Sequence, residues 1–133
     1  MMKIPETHLD LFTDDKKAIA FLATTMKDGT PQVTPVWFNT DGDAILVNSA
    51  QGRVKDRNMR ARPRVALAIM DPHDSYRYVQ IRGRVVETTT KGGWDHINVL
   101  AKKYTGADKF SPNTPDEVRV IYRIIPNSIN VTG

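Results

Sequence analysis

Hydrophobic and polar positions along this chain change period several times, and each change marks an element. Ala18–Met26, Gln32–Asn39 and Ala44–Ser49 are apolar, β-branched runs. Lys27-Asp28-Gly29 and Asp41-Gly42-Asp43 separate them with the Asp-Gly signal of tight hairpins, so the three runs predict an antiparallel meander. Gly52–Ala61 has helical composition and stops ahead of Pro63, which disfavours a helical residue before it. Arg64–Asp71 is apolar on both faces and predicts a central strand. After the turn Asp71-Pro72-His73-Asp74 comes a long strand, Tyr76–Thr89. Val79, Ile81 and Val85 share one of its faces, and Tyr78, Gln80, Arg82 and Arg84 the other. Gly83 within it signals a bulge or a close backbone approach.

Lys91–Tyr104 carries Trp94, Ile97, Leu100, Ala101 and Tyr104 at helical spacing, a stripe suited to packing on a sheet. Ser111–Pro115 reads as a loop and Val118–Ile125 as the last strand, while Pro5–Phe12 predicts a short helix with Leu9 and Phe12 on one face. The sum is a mainly β chain: about six long antiparallel strands, few helices, and a closed or nearly closed barrel.

The 133 residues predict one domain, 1–133, with a modest core, so a large cofactor must lie at an edge or between subunits. There is no cysteine, which excludes a disulfide scaffold, thiolate metal sites and a cysteine nucleophile. No apolar run approaches the roughly 20 residues needed to cross a bilayer. Met1–Asp10 lacks a signal-peptide core, so the expectation is a cytoplasmic protein without a membrane partner. His8, His73 and His96 are scattered and form no metal-ligand pattern, His73 reading as a turn residue and His96 as a surface helix residue.

Charge changes the picture more. The formal net charge is +4, and six basic residues, Arg53, Lys55, Arg57, Arg60, Arg62 and Arg64, sit in one short stretch whose only acid is Asp56. The rest of the chain is close to neutral. The bland reading of such a run is a solvated helix face. Its setting points elsewhere: Asn48-Ser49-Ala50-Gln51-Gly52-Arg53-Val54-Lys55-Asp56-Arg57-Asn58 ends a strand in small polar residues, turns at a glycine and starts a helix with cations. Free N–H groups at a helix start, the Ser49 hydroxyl, the forked donors of Arg53 and the point charge of Lys55 together suit a phosphate dianion. Asn58 can brace either the loop or the phosphate. No Walker loop or GxGxxG motif accompanies this stretch.

Several segments in chain order resemble the split β-barrel family of pyridoxamine-phosphate-oxidase-like flavin and deazaflavin oxidoreductases. They are Gly29-Thr30-Pro31-Gln32-Val33-Thr34-Pro35-Val36-Trp37-Phe38, Asp41-Gly42-Asp43, Gly52-Arg53-Val54-Lys55-Asp56-Arg57-Asn58, Arg62-Pro63-Arg64-Val65, Asp71-Pro72 and Tyr76-Arg77-Tyr78-Val79-Gln80-Ile81-Arg82-Gly83. The resemblance is nearer to the branch that uses the deazaflavin F420 than to FMN users. It departs at Arg62, where relatives often carry an acid. The resemblance implies a six-stranded split barrel forming a twofold homodimer with two cofactor sites at the seam. It assigns Arg53, Lys55, Arg57 and Asn58 to the cofactor phosphate and Ser49 and Ala50 to the strand end beside it. It places Val33, Thr34, Pro35, Val36 and Trp37 along the ring, Gln80 facing the ring, and Ile69 and Met70 on the neighbouring strand. The implied activity is hydride transfer from reduced F420 to a small conjugated or electron-poor substrate. FMN is the alternative cofactor, and Arg60, Arg62 and Arg64 are compatible with an oligoglutamate tail. No acid–base pair stands out, as expected where the cofactor carries the chemistry.

Two rivals belong to other classes. A small basic barrel can bind oligonucleotides, but here the cations sit at a helix start rather than on a strand face among aromatics, so no nucleic-acid partner is expected. A cofactor carrier without turnover is the other. A pyridoxamine-phosphate oxidase proper is disfavoured, because no substrate-binding tail is recognisable before Asn130-Val131-Thr132-Gly133.

Overall fold

The computed structural model describes residues 3–112 and 114–133. Met1, Met2 and Asn113, the last within the expected Ser111–Pro115 loop, lie outside the described residues. A 3-10 helix (Glu6–Phe12) leads into β1 (Ile19–Thr25), β2 (Pro31–Val36), β3 (Phe38–Asp41) and β4 (Ala44–Ala50). Then come α1 (Val54–Ala61), β5 (Arg64–Asp71), β6 (Asp74–Thr89), α2 (Gly93–Thr105) and β7 (Arg119–Thr132). All strands join one antiparallel sheet in the order β2-β1-β5-β6-β7-β4-β3.

The two edge strands, β2 and β3, are consecutive in the chain and separated by Trp37 alone. The sheet therefore curls until its edges meet at that residue, the geometry of a split barrel. Seven strands replace the six expected because the single run Gln32–Asn39 changes neighbours at Trp37. Val36 pairs with Ala20 of β1, whereas Phe38 pairs with Val47 of β4. A periodicity of two is blind to such a change of partner.

The seam leaves edge groups that α2 satisfies. The Tyr104 hydroxyl accepts the Phe38 N–H at 3.3 Å and donates to the Ala18 carbonyl at 2.6 Å. Lys103 donates to the Phe38 carbonyl at 2.8 Å, with its ammonium 4.5 Å from the Phe38 ring centre. Burial pushes the Lys103 pKa down, and Asp14 at 3.7 Å partly offsets this. Inside the barrel Leu22, Phe38, Ile45, Leu67, Ile69, Ile81, Tyr122 and Ile124 are fully buried, and Met59 of α1 joins the same core. Burying side chains of this size is the main favourable term, on the order of 2 kcal/mol each.

Gly83 meets both expectations placed on it. The register between β6 and β7 shifts beside it, and a Cβ there would lie 2.7 Å from the Ile125 carbonyl oxygen. Across this bulge Gly83 faces Pro126 and Arg82 faces Ser128, so Asn127 is the extra residue. β7 consequently runs to Thr132 rather than ending at Ile125. Pro126-Asn127-Ser128 has the composition of a turn, but the bulge absorbs it and the strand continues.

Two further expectations are corrected. β5 lies inside the sheet, yet only Val65, Leu67, Ile69 and Asp71 are buried; its other face is half-covered. In the N-terminal helix, Leu9 is 48% exposed while His8 and Leu11 are buried. A three-residue repeat aligns positions 8 and 11 toward the protein. The His8 Nε2 sits 2.9 Å from the Thr132 carbonyl, tying this helix to the end of β7. No helix among the described residues is long and apolar enough to cross a membrane.

Candidate functional site

The turn between β4 and α1 is built around Gly52 and Asp56. Gly52 adopts φ 91°, a left-handed conformation that favours glycine. Its N–H donates to Asp56 Oδ2 at 2.9 Å. Arg60 donates to Asp56 Oδ1 at 2.9 Å, and the Tyr122 hydroxyl donates to the same oxygen. Burial pushes the Asp56 carboxyl up, but the Gly52 N–H, Tyr122 and Arg60 outweigh it and hold the group below the usual carboxylate range. The one acid within the basic run is thus its internal brace. It ties the Gly52 turn to Arg60 of α1 and Tyr122 of β7.

Arg53 and Lys55 line a cleft of about 180 Å³. Pro35, Val36 and Trp37 form one wall, Asn48, Ile97 and Phe110 complete it, and Arg119 enters from β7. The structure therefore brings Pro35, Val36 and Trp37, three of the five residues expected along the ring, against two of the cations expected at the phosphate. Trp37 stacks on Tyr104 with ring centres 5.3 Å apart and planes at 11°, and Phe110 meets Trp37 edge-on at 6.0 Å. These contacts hold the indole half-buried in the wall.

Three cations share this cleft with one carboxylate. Glu117 bridges Arg53 (3.3 Å) and Arg119 (3.1 Å). Lys55 has no ion pair among the described residues. Burial is the main cause that pushes its pKa down, reinforced by the like charges of Arg53 and Arg119. A half-buried ammonium exposed to the field of two guanidiniums is unfavourable without a counter-anion.

Arg119 is the cation of this cleft that sequence reasoning missed. It is 4% exposed, donates to Asn48 Oδ1 at 2.9 Å and lies 4.9 Å from the Phe110 ring centre. Its only sequence signal was a cation at the start of a strand. Below it, Asn48 donates to the Gly93 carbonyl (3.0 Å) and faces His96 Nδ1 (3.0 Å), while His96 Nε2 faces Asn39 Oδ1 (2.8 Å). The partners fix the neutral tautomer: Nδ1 accepts and Nε2–H donates. His96 is thus buried and not a surface residue; desolvation first, and Arg119 second, lower its pKa to about 4. The reason is position: it lies one residue before Ile97 on the face of α2 that packs against β4 and β7.

The remaining predicted residues divide by strand face. On the outer face Pro35, Phe21, Ala68 and Gln80 line up across four strands, with Val33, Ala23, Ala66 and Arg82 in the next row. Met70 shares that face, opposite Ile19 and Tyr78. Thr34 faces inward with Leu22, and the Ile69 side chain lies wholly in the core, so it offers an outer ligand no side-chain contact. Ala50 is buried, and its carbonyl accepts the Arg53 N–H at 3.3 Å. Ser49 shares the inward face of Ile45 and Val47; its hydroxyl is buried without a hydrogen-bond partner among the described residues. Asn58 turns into the protein: its amide donates to Thr24 at 3.0 Å and its oxygen accepts from Arg62 at 3.2 Å. Arg57 is exposed, away from these contacts. Arg60 and Arg62 are engaged internally, Arg62 also with the Thr25 carbonyl at 2.7 Å. Among the described residues, Arg64 alone of the three arginines set aside for a tail lacks such a partner, and it pairs across the sheet with Arg84. No cluster of histidine and carboxylate groups suited to a metal occurs among the described residues.

A mainly β split barrel with a cation-lined cleft at its seam is the class that the fold and this site define. The family model described as pyridoxamine 5'-phosphate oxidase matches residues 5–130, and the chain belongs to that family. Among solved structures, one described as an F420 reductase superposes with a TM-score of 0.81 at 31% identity, covering 96% of this chain and 98% of that one. HupZ from Group A Streptococcus (TM-score 0.68, 18% identity, 97% and 94% covered) shares the fold. So does General Stress Protein 26 from Bacillus anthracis (TM-score 0.66, 18% identity, 94% of each chain). Membership supports a flavin- or deazaflavin-type oxidoreductase.

Proposed function

We propose that this chain is a reductase that uses reduced F420, delivering a hydride to a small conjugated or electron-poor substrate, and that it works as a homodimer with one domain per chain. The observation that carries the reading is Lys55. It is half-buried, feels the like charges of Arg53 and Arg119, has no carboxylate partner among the described residues, and lines the same cleft as Pro35–Trp37. A phosphate there would supply the missing counter-charge, and a planar ring attached to it would extend along the wall. The donor set fits such a group: three cations against one carboxylate leave the cleft in surplus by two charges, the charge of a phosphate dianion. The likeness to a structure described as an F420 reductase favours the deazaflavin over FMN.

When bound, the deazaflavin supplies the hydride. The residues of this chain anchor and orient. Arg53 and Lys55 hold the anionic end, Arg119 sets the charge behind them, and Pro35, Val36 and Trp37 exclude water from one side. The outer row of Phe21, Ala68 and Gln80 offers a shelf for the ring. The cleft itself is about 180 Å³, and Arg53 also lines a wider cavity of about 730 Å³ together with Gln51, Asp116 and Glu117.

The test is equilibrium binding of F420 and FMN side by side, followed by hydride transfer from the reduced cofactor to a panel of enones, quinones and nitroaromatics. Tighter binding of F420 with turnover of a panel member is expected. Binding of FMN alone would overturn the choice of cofactor, and binding of neither would overturn the site.

A further inference from the structure

Glu117 occupies an unusual position. Its side chain is 5% exposed, and its two oxygens reach different guanidiniums, Arg53 at 3.3 Å and Arg119 at 3.1 Å. The two arginines are not equivalent. Arg119 is buried and further anchored by Asn48 and by the Phe110 ring. Arg53 has a side chain 40% exposed, and the carboxylate is its one ion-pair partner among the described residues. Lys55, the third cation, receives none of this carboxylate.

We propose that Glu117 is an internal counter-anion, standing in for the ligand's phosphate on Arg53 and displaced from it when a phosphorylated ligand enters. The inference rests on the proposed phosphate site. In the free protein the carboxylate keeps two closely placed arginines from repelling each other. An entering phosphate brings two charges, enough for Arg53 and Lys55 together, and leaves Glu117 to Arg119 alone. The exchange needs only rotation of a side chain. The main chain is held on both sides: the Glu117 N–H donates to the Thr114 carbonyl at 3.4 Å, Trp94 Nε1 donates to the Glu117 carbonyl at 3.3 Å, and the Gln51 N–H donates to the Val118 carbonyl at 2.8 Å. Glu117 thereby sets the affinity of the cleft. It competes with the ligand, and because two like-charged arginines destabilise the empty cleft, it also stabilises the unliganded fold.

The experiment compares wild type with Glu117→Gln, titrating inorganic phosphate at constant ionic strength and reading protection against thermal unfolding. The variant should unfold at a lower temperature without ligand yet bind phosphate about tenfold more tightly, the scale of one charge-assisted contact no longer in competition. Unchanged or weaker phosphate binding in the variant overturns the proposal. If Glu117→Gln does not fold, Glu117→Asp serves in its place: the carboxylate retracts by one methylene, and phosphate affinity should rise in the same direction. Arg53→Ala/Lys55→Ala separates the two readings. If that double variant loses phosphate binding but Glu117→Gln does not gain it, the site stands and only the internal counter-anion fails. If phosphate binding survives loss of both cations, or wild type and Glu117→Gln both fail to bind phosphate, the site reading fails and this inference falls with it.

Discussion

Asn48 joins His96 to Arg119: its amide nitrogen lies 3.0 Å from His96 Nδ1, and its oxygen accepts from Arg119 Nε at 2.9 Å. A neutral, buried imidazole thus sits two hydrogen bonds behind the cations of the cleft. Protonating Nδ1 would turn an acceptor into a donor facing another donor, beside a guanidinium.

That arrangement predicts an acid-sensitive fold. Desolvation and Arg119 lower the His96 pKa from 6.5 to about 4. Between those values the unfolded chain binds a proton that the folded chain refuses, so this residue's contribution to stability is complete above pH 6.5 and declines as pH falls toward 4. Thermal unfolding followed from pH 8 to pH 4 should show this decline, and His96→Gln should flatten it while lowering stability at pH 8. Asp10, held near 2 chiefly by Arg77, loses its contribution only below its ordinary value of 3.8 and does not contribute to that window. An equal slope in His96→Gln would contradict the assignment.

Tyr104→Phe tests the seam. It keeps the stack on Trp37 but removes the hydroxyl that accepts the Phe38 N–H and donates to the Ala18 carbonyl. Leaving those groups unpaired in a half-buried place costs about 1–3 kcal/mol, to be read from denaturant unfolding midpoints. Cofactor affinity should weaken too, because Trp37 is positioned from the same seam.

Much of this fold was legible because its strands alternate cleanly. Val79, Ile81 and Val85 point inward and Gln80, Arg82 and Arg84 outward as their spacing requires. Gly83 marked its bulge for the same reason. What periodicity could not show was a change of partner or of phase. Trp37 divides one run between two sheet edges, and Asn127 shifts β7 by one residue so that Ile124 and Ile129 both reach the core. The cationic turn was legible from Arg53 and Lys55, but its third cation and its counter-charge were not. Arg119 and Glu117 lie more than sixty positions downstream in sequence, and only the β4–β7 pairing, with Ala50 opposite Arg119, brings them to the turn. Asn58 and Ile69 show the converse: near the site in sequence or on a flanking strand, each turns its side chain into the protein.

A shared site predicts that assembly and binding are linked. Sedimentation over a dilution series should show a homodimer whose dissociation midpoint coincides with loss of F420 binding. A monomer that binds with undiminished affinity would contradict a site completed by a second copy.

The central claim is that Arg53 and Lys55 hold the phosphate of a redox ring laid along Pro35–Trp37. Fluorescence titration of F420 into wild type and Arg53→Ala/Lys55→Ala, with circular dichroism to confirm the fold, tests it most directly. Two charge-assisted contacts at about tenfold each predict an affinity about a hundredfold weaker in the folded double variant. An unchanged affinity in a folded double variant would contradict the claim.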